Sequence, residues 1–251
     1  MERFFNREVR ILIRKELRQV TRSRAALASS VLLPILLLLV VPMIQLTAIH
    51  FANGAKPTAS PIRGLPPGLS SVRPDELYAT FLFPLLVTLG GIVVPTVAVT
   101  YSIVTERERK SLELLIALPV RVRDILVAKI AAVLLLAGAL VVPLFAIDAV
   151  VLLTLGVADL GTILLLLLVL LSALACSAGT ALILTLVARD YRAANNLNGA
   201  MMVPLLFITG AVLVGVPSPW KLLVLAGVLV VLGAAALTAS VRWLTFERYL
   251  S

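Results

Sequence analysis

Runs of apolar residues long enough to cross a bilayer dominate this chain and constrain it more than any motif. Six segments qualify: Ala25–Ile49, Leu77–Val104, Leu126–Ala149, Thr162–Val187, Leu197–Val216 and Leu222–Ser240. Each can cross about 30 Å of hydrocarbon as a helix. A helix satisfies every backbone group within its own segment, which lipid demands. A membrane barrel would instead need roughly ten-residue stretches of alternating polarity. Val31–Val41 and Ile163–Leu171 do not alternate. The composition agrees, with 61% of 251 residues hydrophobic, 14% charged and a mean hydropathy of +1.08. Soluble domains are about 45–50% apolar and about 25% charged. The expected fold is an all-α integral membrane protein.

Orientation follows from the basic residues. With the N-terminus in the cytoplasm, 18 of the 22 Lys and Arg fall in inner segments: residues 1–24, 105–129, 188–196 and 241–251. That asymmetry predicts both termini inside. It also accounts for most of the net charge of +9, so no nucleic-acid partner is expected. The start, MERFFNREVR, has no signal-peptide core, so the first apolar run reads as a retained span. The segment from His50 to Glu76 holds five prolines and three glycines and reads as an outer loop, at 50–76. The stretch Leu126–Gly156 exceeds one span. It is expected to end near Asp148 and continue as a short outer piece.

Several chemistries find no support. The chain has no phosphate-binding Gly-rich loop and no His-Glu-x-x-His. His50 is its one histidine and Cys176 its one cysteine, so no metal site and no histidine-based catalysis are expected. Asp148 is the sole carboxylate within the expected spans. It reads either as an interfacial polar cap or as a substrate or ion ligand.

Two cytoplasmic segments carry more information. In residues 1–24, Arg3, Arg7, Arg10, Arg14, Arg18 and Arg22 recur at helical spacing, with Phe5, Val9, Leu12, Ile13, Leu17 and Val20 opposite. This predicts a basic amphipathic helix lying in the membrane interface on acidic lipid. Glu16, beside Lys15, falls on the apolar side. It either pairs with a basic residue of a neighbouring helix or snorkels at the edge. The second segment, Thr105–Lys129, opens with Glu106, Arg107, Glu108, Arg109 and Lys110. Leu112, Glu113, Leu115 and Ile116 follow, and Pro119 is expected to end a short helix. Such a helix between two spans either docks a soluble partner or is a solvated basic loop.

The run Ser102–Val120, SIVTERERKSLELLIALPV, resembles the connection after the second span of ABC-2-type exporter permeases. Lys15-Glu16-Leu17, with Arg22-Ser23-Arg24, is similar to that family's N-terminal helix. The resemblance implies a type-V-exporter-like permease: an entry helix at 1–24 and a six-span domain at 25–251 with a coupling helix at 105–118. It implies a separate ATPase subunit that holds ATP and magnesium, a second permease subunit, and a prokaryotic inner membrane. This chain would then be a non-catalytic subunit with no cofactor of its own. The substrate path would lie between permeases along the second and fifth spans. The polar or adaptable residues there are Thr88, Thr96, Thr100, Tyr101, Asn195, Asn198, Met201, Met202 and Thr209, unless these simply pack helices. Pro84, Pro95 and Pro204 supply kinks. So apolar a path suits a lipophilic substrate. The competing readings are a small-ion efflux permease and a non-transport anchor for a cytoplasmic complex. A membrane enzyme would need convergent titratable groups within the spans.

Overall fold

The computed structural model describes residues 32–54, 77–108, 122–188 and 190–243. These form helices and short connections, with no strand among them. A π-helical turn at Leu36–Val40 leads into α1 (Val41–Gly54), and a second at Tyr78–Leu82 leads into α2 (Phe83–Glu108). Then come α3 (Val122–Thr154), α4 (Leu160–Val187), α5 (Tyr191–Gly215) and α6 (Lys221–Trp243). Among the described residues, five helices are long and apolar enough to cross a membrane, and a shorter apolar helix occupies Leu32–Ala48. The first expected span corresponds to that shorter helix.

The differences from the expected boundaries are local and chemical. The first helix continues past His50 to Gly54. The second passes Val104 and takes in Glu106, Arg107 and Glu108, so the start of the charged segment continues the span rather than opening a separate helix. The expected break near Asp148 is absent, and α3 runs on to Thr154. Its stop is Gly156, at φ 64°. The Gly156 N–H donates to Leu153 O and the Val157 N–H to Leu152 O, the double bond of a Schellman motif. Glycine accepts that left-handed backbone without steric cost. The fifth helix begins at Tyr191 rather than Leu197, because Asp190 caps it and accepts the Ala193 N–H at 2.7 Å. The connection expected at 188–196 shrinks to a few residues between α4 and α5. Trp220 stands exposed at the tight turn between α5 and α6, as an interfacial aromatic would.

Small residues set the packing. The most extensive contacts join α4 to α6 and α4 to α2. At Gly233 an added Cβ would stand 2.8 Å from Cys176 Cα, and at Gly179 one would stand 2.9 Å from Gly233 O. The α4 and α6 backbones therefore touch, as small residues permit in lipid. On the other side of α4, a Cβ at Gly91 would lie 2.8 Å from Ala173 Cβ, and the Ser177 hydroxyl donates to Gly91 O at 3.2 Å. Leu38 packs over Gly90. Helix α2 is thus enclosed by α3, α4, α5 and the first π-helical turn. Proline stands inside α2, α3 and α5, at Pro95, Pro143 and Pro204.

Candidate functional site

Polar side chains within the bundle gather at two depths. The inner group joins three helices. Asn198 of α5 donates through its amide nitrogen to the Thr100 hydroxyl of α2 at 2.8 Å and to the Thr185 hydroxyl of α4 at 3.4 Å. All three side chains are buried. A small apolar cluster of Ala98, Val99, Val133, Ala181 and Leu182 lies beside it. The sequence analysis singled out Thr100 and Asn198 but not Thr185, whose place shows only once α4 stands against α5.

The remaining candidate path residues divide by what they touch. The hydroxyls of Thr88, Thr96, Thr100 and Thr209 each donate to the carbonyl four residues back, on Pro84, Ile92, Thr96 and Leu205, at 2.7–2.8 Å. All four threonines are buried. They satisfy their own helices inside the bundle, the behaviour of helix-packing hydroxyls. Asn195 is exposed, and Met201 and Met202 are half-buried against the main core. Tyr101 continues α2. Of the two helices expected to border the path, α2 is buried, whereas α5 exposes Val203, Phe207 and Val214 along one face.

Of the second group the sequence analysis singled out Asp148, but neither Tyr78 nor Gln45. Asp148 is fully buried rather than an exposed cap. Neither of its carboxylate oxygens has a hydrogen-bond partner, nor does the buried hydroxyl of Tyr78. The two groups lie within electrostatic reach of each other. Tyr78 and Phe145 both pack on Phe83, with ring centroids 5.8 and 6.4 Å apart. Gln45 of α1 holds a further unpartnered buried oxygen.

Outside the spans, the Thr162 hydroxyl donates to Asp159, and the Gly161 N–H donates to the other carboxylate oxygen at 3.2 Å. These bonds hold the exposed Asp159 carboxyl below the usual carboxylate range, the Thr162 bond contributing most. They fasten the start of α4 at the outer surface. Among the described residues, no three or more His, Cys, Asp and Glu side chains cluster as a polydentate metal centre would require.

The charged segment after the second span is bounded by a helix at each end. Helix α2 carries eight residues beyond the apolar stretch Tyr78–Thr100, to Glu108, and α3 starts at Val122, ahead of its apolar stretch Ile130–Thr154. Both helices therefore extend inward beyond their membrane-spanning lengths. Arg109, Lys110, Leu112, Glu113, Leu115, Ile116 and Pro119 lie between them, outside the described residues. So do Arg10, Arg14, Lys15, Glu16 and Arg18 of the expected interface helix.

These features define a polytopic helical membrane protein with a charged segment slung between two long helices. Its sequence matches the family described as ABC-2 family transporter protein over residues 55–236, well over half of the chain. The chain belongs to that family of transport permeases. Searches of curated proteins and of solved structures return no match.

Proposed function

We propose that the chain is the membrane subunit of an ATP-driven exporter, worked by a separate ATPase docked on residues 105–118. The family match, which spans this charged segment and the helices on either side, carries the reading. Helices α2 and α3 enter the segment from opposite sides, so a force applied there reaches two spans at once. The exposed apolar face of α5 suits contact with a second permease subunit, and an apolar path at that contact suits a lipophilic substrate.

Purification from native membrane under mild detergent tests this directly. An ATPase subunit is expected to copurify in stoichiometric amount, and ATP hydrolysis is expected to leave with it when the two are separated. Hydrolysis by the isolated chain would overturn the reading. Hydrolysis in the complex without any flux into inverted vesicles would support the anchor instead.

The basic-residue asymmetry supports a cytoplasmic position for both termini. A Ser60→Cys chain is therefore expected to react with an impermeant thiol reagent added to intact cells. Reaction only after lysis would reverse the orientation.

A further inference from the structure

Among the described residues, the buried side-chain nitrogen and oxygen atoms that lack a hydrogen-bond partner are four oxygens: two on Asp148, one on Tyr78 and one on Gln45. They come from three different helical segments, and they lie at a similar depth in the bundle. Phe83 and Phe145 stack at 6.4 Å, which places these two residues of α2 and α3 at one depth. Asp148 stands one helical turn outward of Phe145, and Tyr78 packs on Phe83. Leu38 packs on Gly90, and the same number of residues separates Leu38 from Gln45 as separates Gly90 from Phe83. In antiparallel helices both intervals rise about 10 Å toward the outer face. Gln45 therefore lies near the depth of Phe83.

Orphaned polar groups in a native core call for an explanation. Three of the four oxygens are acceptors and not donors: the amide oxygen of Gln45 and, in the ionised acid, the two of Asp148. Such a set is complementary to positive charge. A water molecule could bridge two of them but would leave the carboxylate uncompensated in an apolar surround, a cost of several kcal/mol. The rings of Tyr78, Phe83 and Phe145 lie at a similar depth, and aromatic faces attract cations. Tyr78 is also the first residue of a π-helical turn, a wide turn that recurs at ligand sites.

We propose that Asp148 and Tyr78, with Gln45 at the same depth, form a binding site for a small cation in the outer half of the bundle. The ligand chemistry is a compact single positive charge, either a bare alkali ion or a primary ammonium group. The inner group does not compete for it, because Asn198, Thr100 and Thr185 already satisfy one another. The site is built within a single chain and stands whether or not an ATPase docks.

The full chain in lipid nanodiscs, without nucleotide, provides the test. Thermal unfolding is followed by circular dichroism while sodium, potassium or methylammonium chloride replaces choline chloride at constant ionic strength. At least one small cation is expected to raise the midpoint saturably, by roughly 5 °C, and choline is not. Response to the alkali ions identifies a bare ion, and response to methylammonium alone identifies an amine head group. Asp148→Asn is expected to abolish the response, and Tyr78→Phe to weaken the apparent affinity roughly tenfold, one charge-assisted contact's worth. A wild-type chain indifferent to all three cations overturns the site, as it would if Tyr78 simply donates to Asp148. An Asp148→Asn chain with the wild-type response also overturns it. Should that variant fail to fold, unchanged affinity in Tyr78→Phe does so. Loss of ATP-driven export leaves this outcome untouched, so the two readings fail separately.

Discussion

Gly233→Val is expected to destabilise the bundle more than any other single substitution among its described glycines. An added Cβ at this position would stand 2.8 Å from Cys176 Cα and 3.1 Å from Cys176 N. Those atoms are backbone, so no side chain can rotate away. Helices α4 and α6 must separate, and their contact is among the most extensive in the bundle. Overpacking of a close-packed interior costs about 1–3 kcal/mol, and a rigid backbone obstacle puts this case at or above the upper end. The checking measurement is thermal unfolding in detergent, with Gly90→Ala as the comparison. A Cβ at Gly90 would meet only the side chain of Leu38, at 2.7–2.9 Å. Leu38 can change rotamer, so the Gly90→Ala loss is expected to be clearly the smaller. Equal losses would show that the α4–α6 approach is looser than described.

The second large effect is expected from Glu106→Ala and Glu113→Ala. Both residues lie in the charged segment proposed as the docking handle. Truncating one partner of a charge pair in an interface weakens the contact at that point, and neither residue lies in an apolar span, so membrane insertion is expected to be intact. The complex is expected to keep hydrolysing ATP while export falls roughly tenfold or more, the range of a coupling free energy of 1–3 kcal/mol. Measuring hydrolysis and vesicle uptake on one preparation separates this from simple loss of assembly. Export at the wild-type ratio to hydrolysis in both variants would remove the segment from the coupling role.

The spans were legible because lipid imposes one strong rule on composition, and Leu160–Val187 or Lys221–Trp243 obey it with little interruption. Their boundaries were less legible, since caps act over a few residues that an apolar average blurs. Asp190 and Gly156 were both readable boundary signals: an acid three residues before Ala193 that starts α5, and a glycine after a long apolar run that ends α3. Asp148 shows a harder limit. A lone carboxylate six residues before the end of its helix reads as an interfacial cap or as a ligand. Its burial shows only once the helices pack and bring Tyr78, from seventy residues earlier in the chain, near it. The threonines show a different limit. The resemblance set them along a path or left them as packing residues, and only the structure shows that each has an acceptor on its own helix one turn back.

The prolines divide the bundle into two mechanical classes. Helices α2, α3 and α5 each carry one inside, at a point where a backbone bond is missing and bending is cheap. Helices α4 and α6 carry none and are knit backbone to backbone at Gly179 and Gly233. A push delivered between Glu108 and Val122 therefore enters through two flexible limbs and works against a stiff spine. Strain would collect at Pro95 and Pro143, leaving the glycine seam as the fixed frame against which the rest of the molecule changes shape.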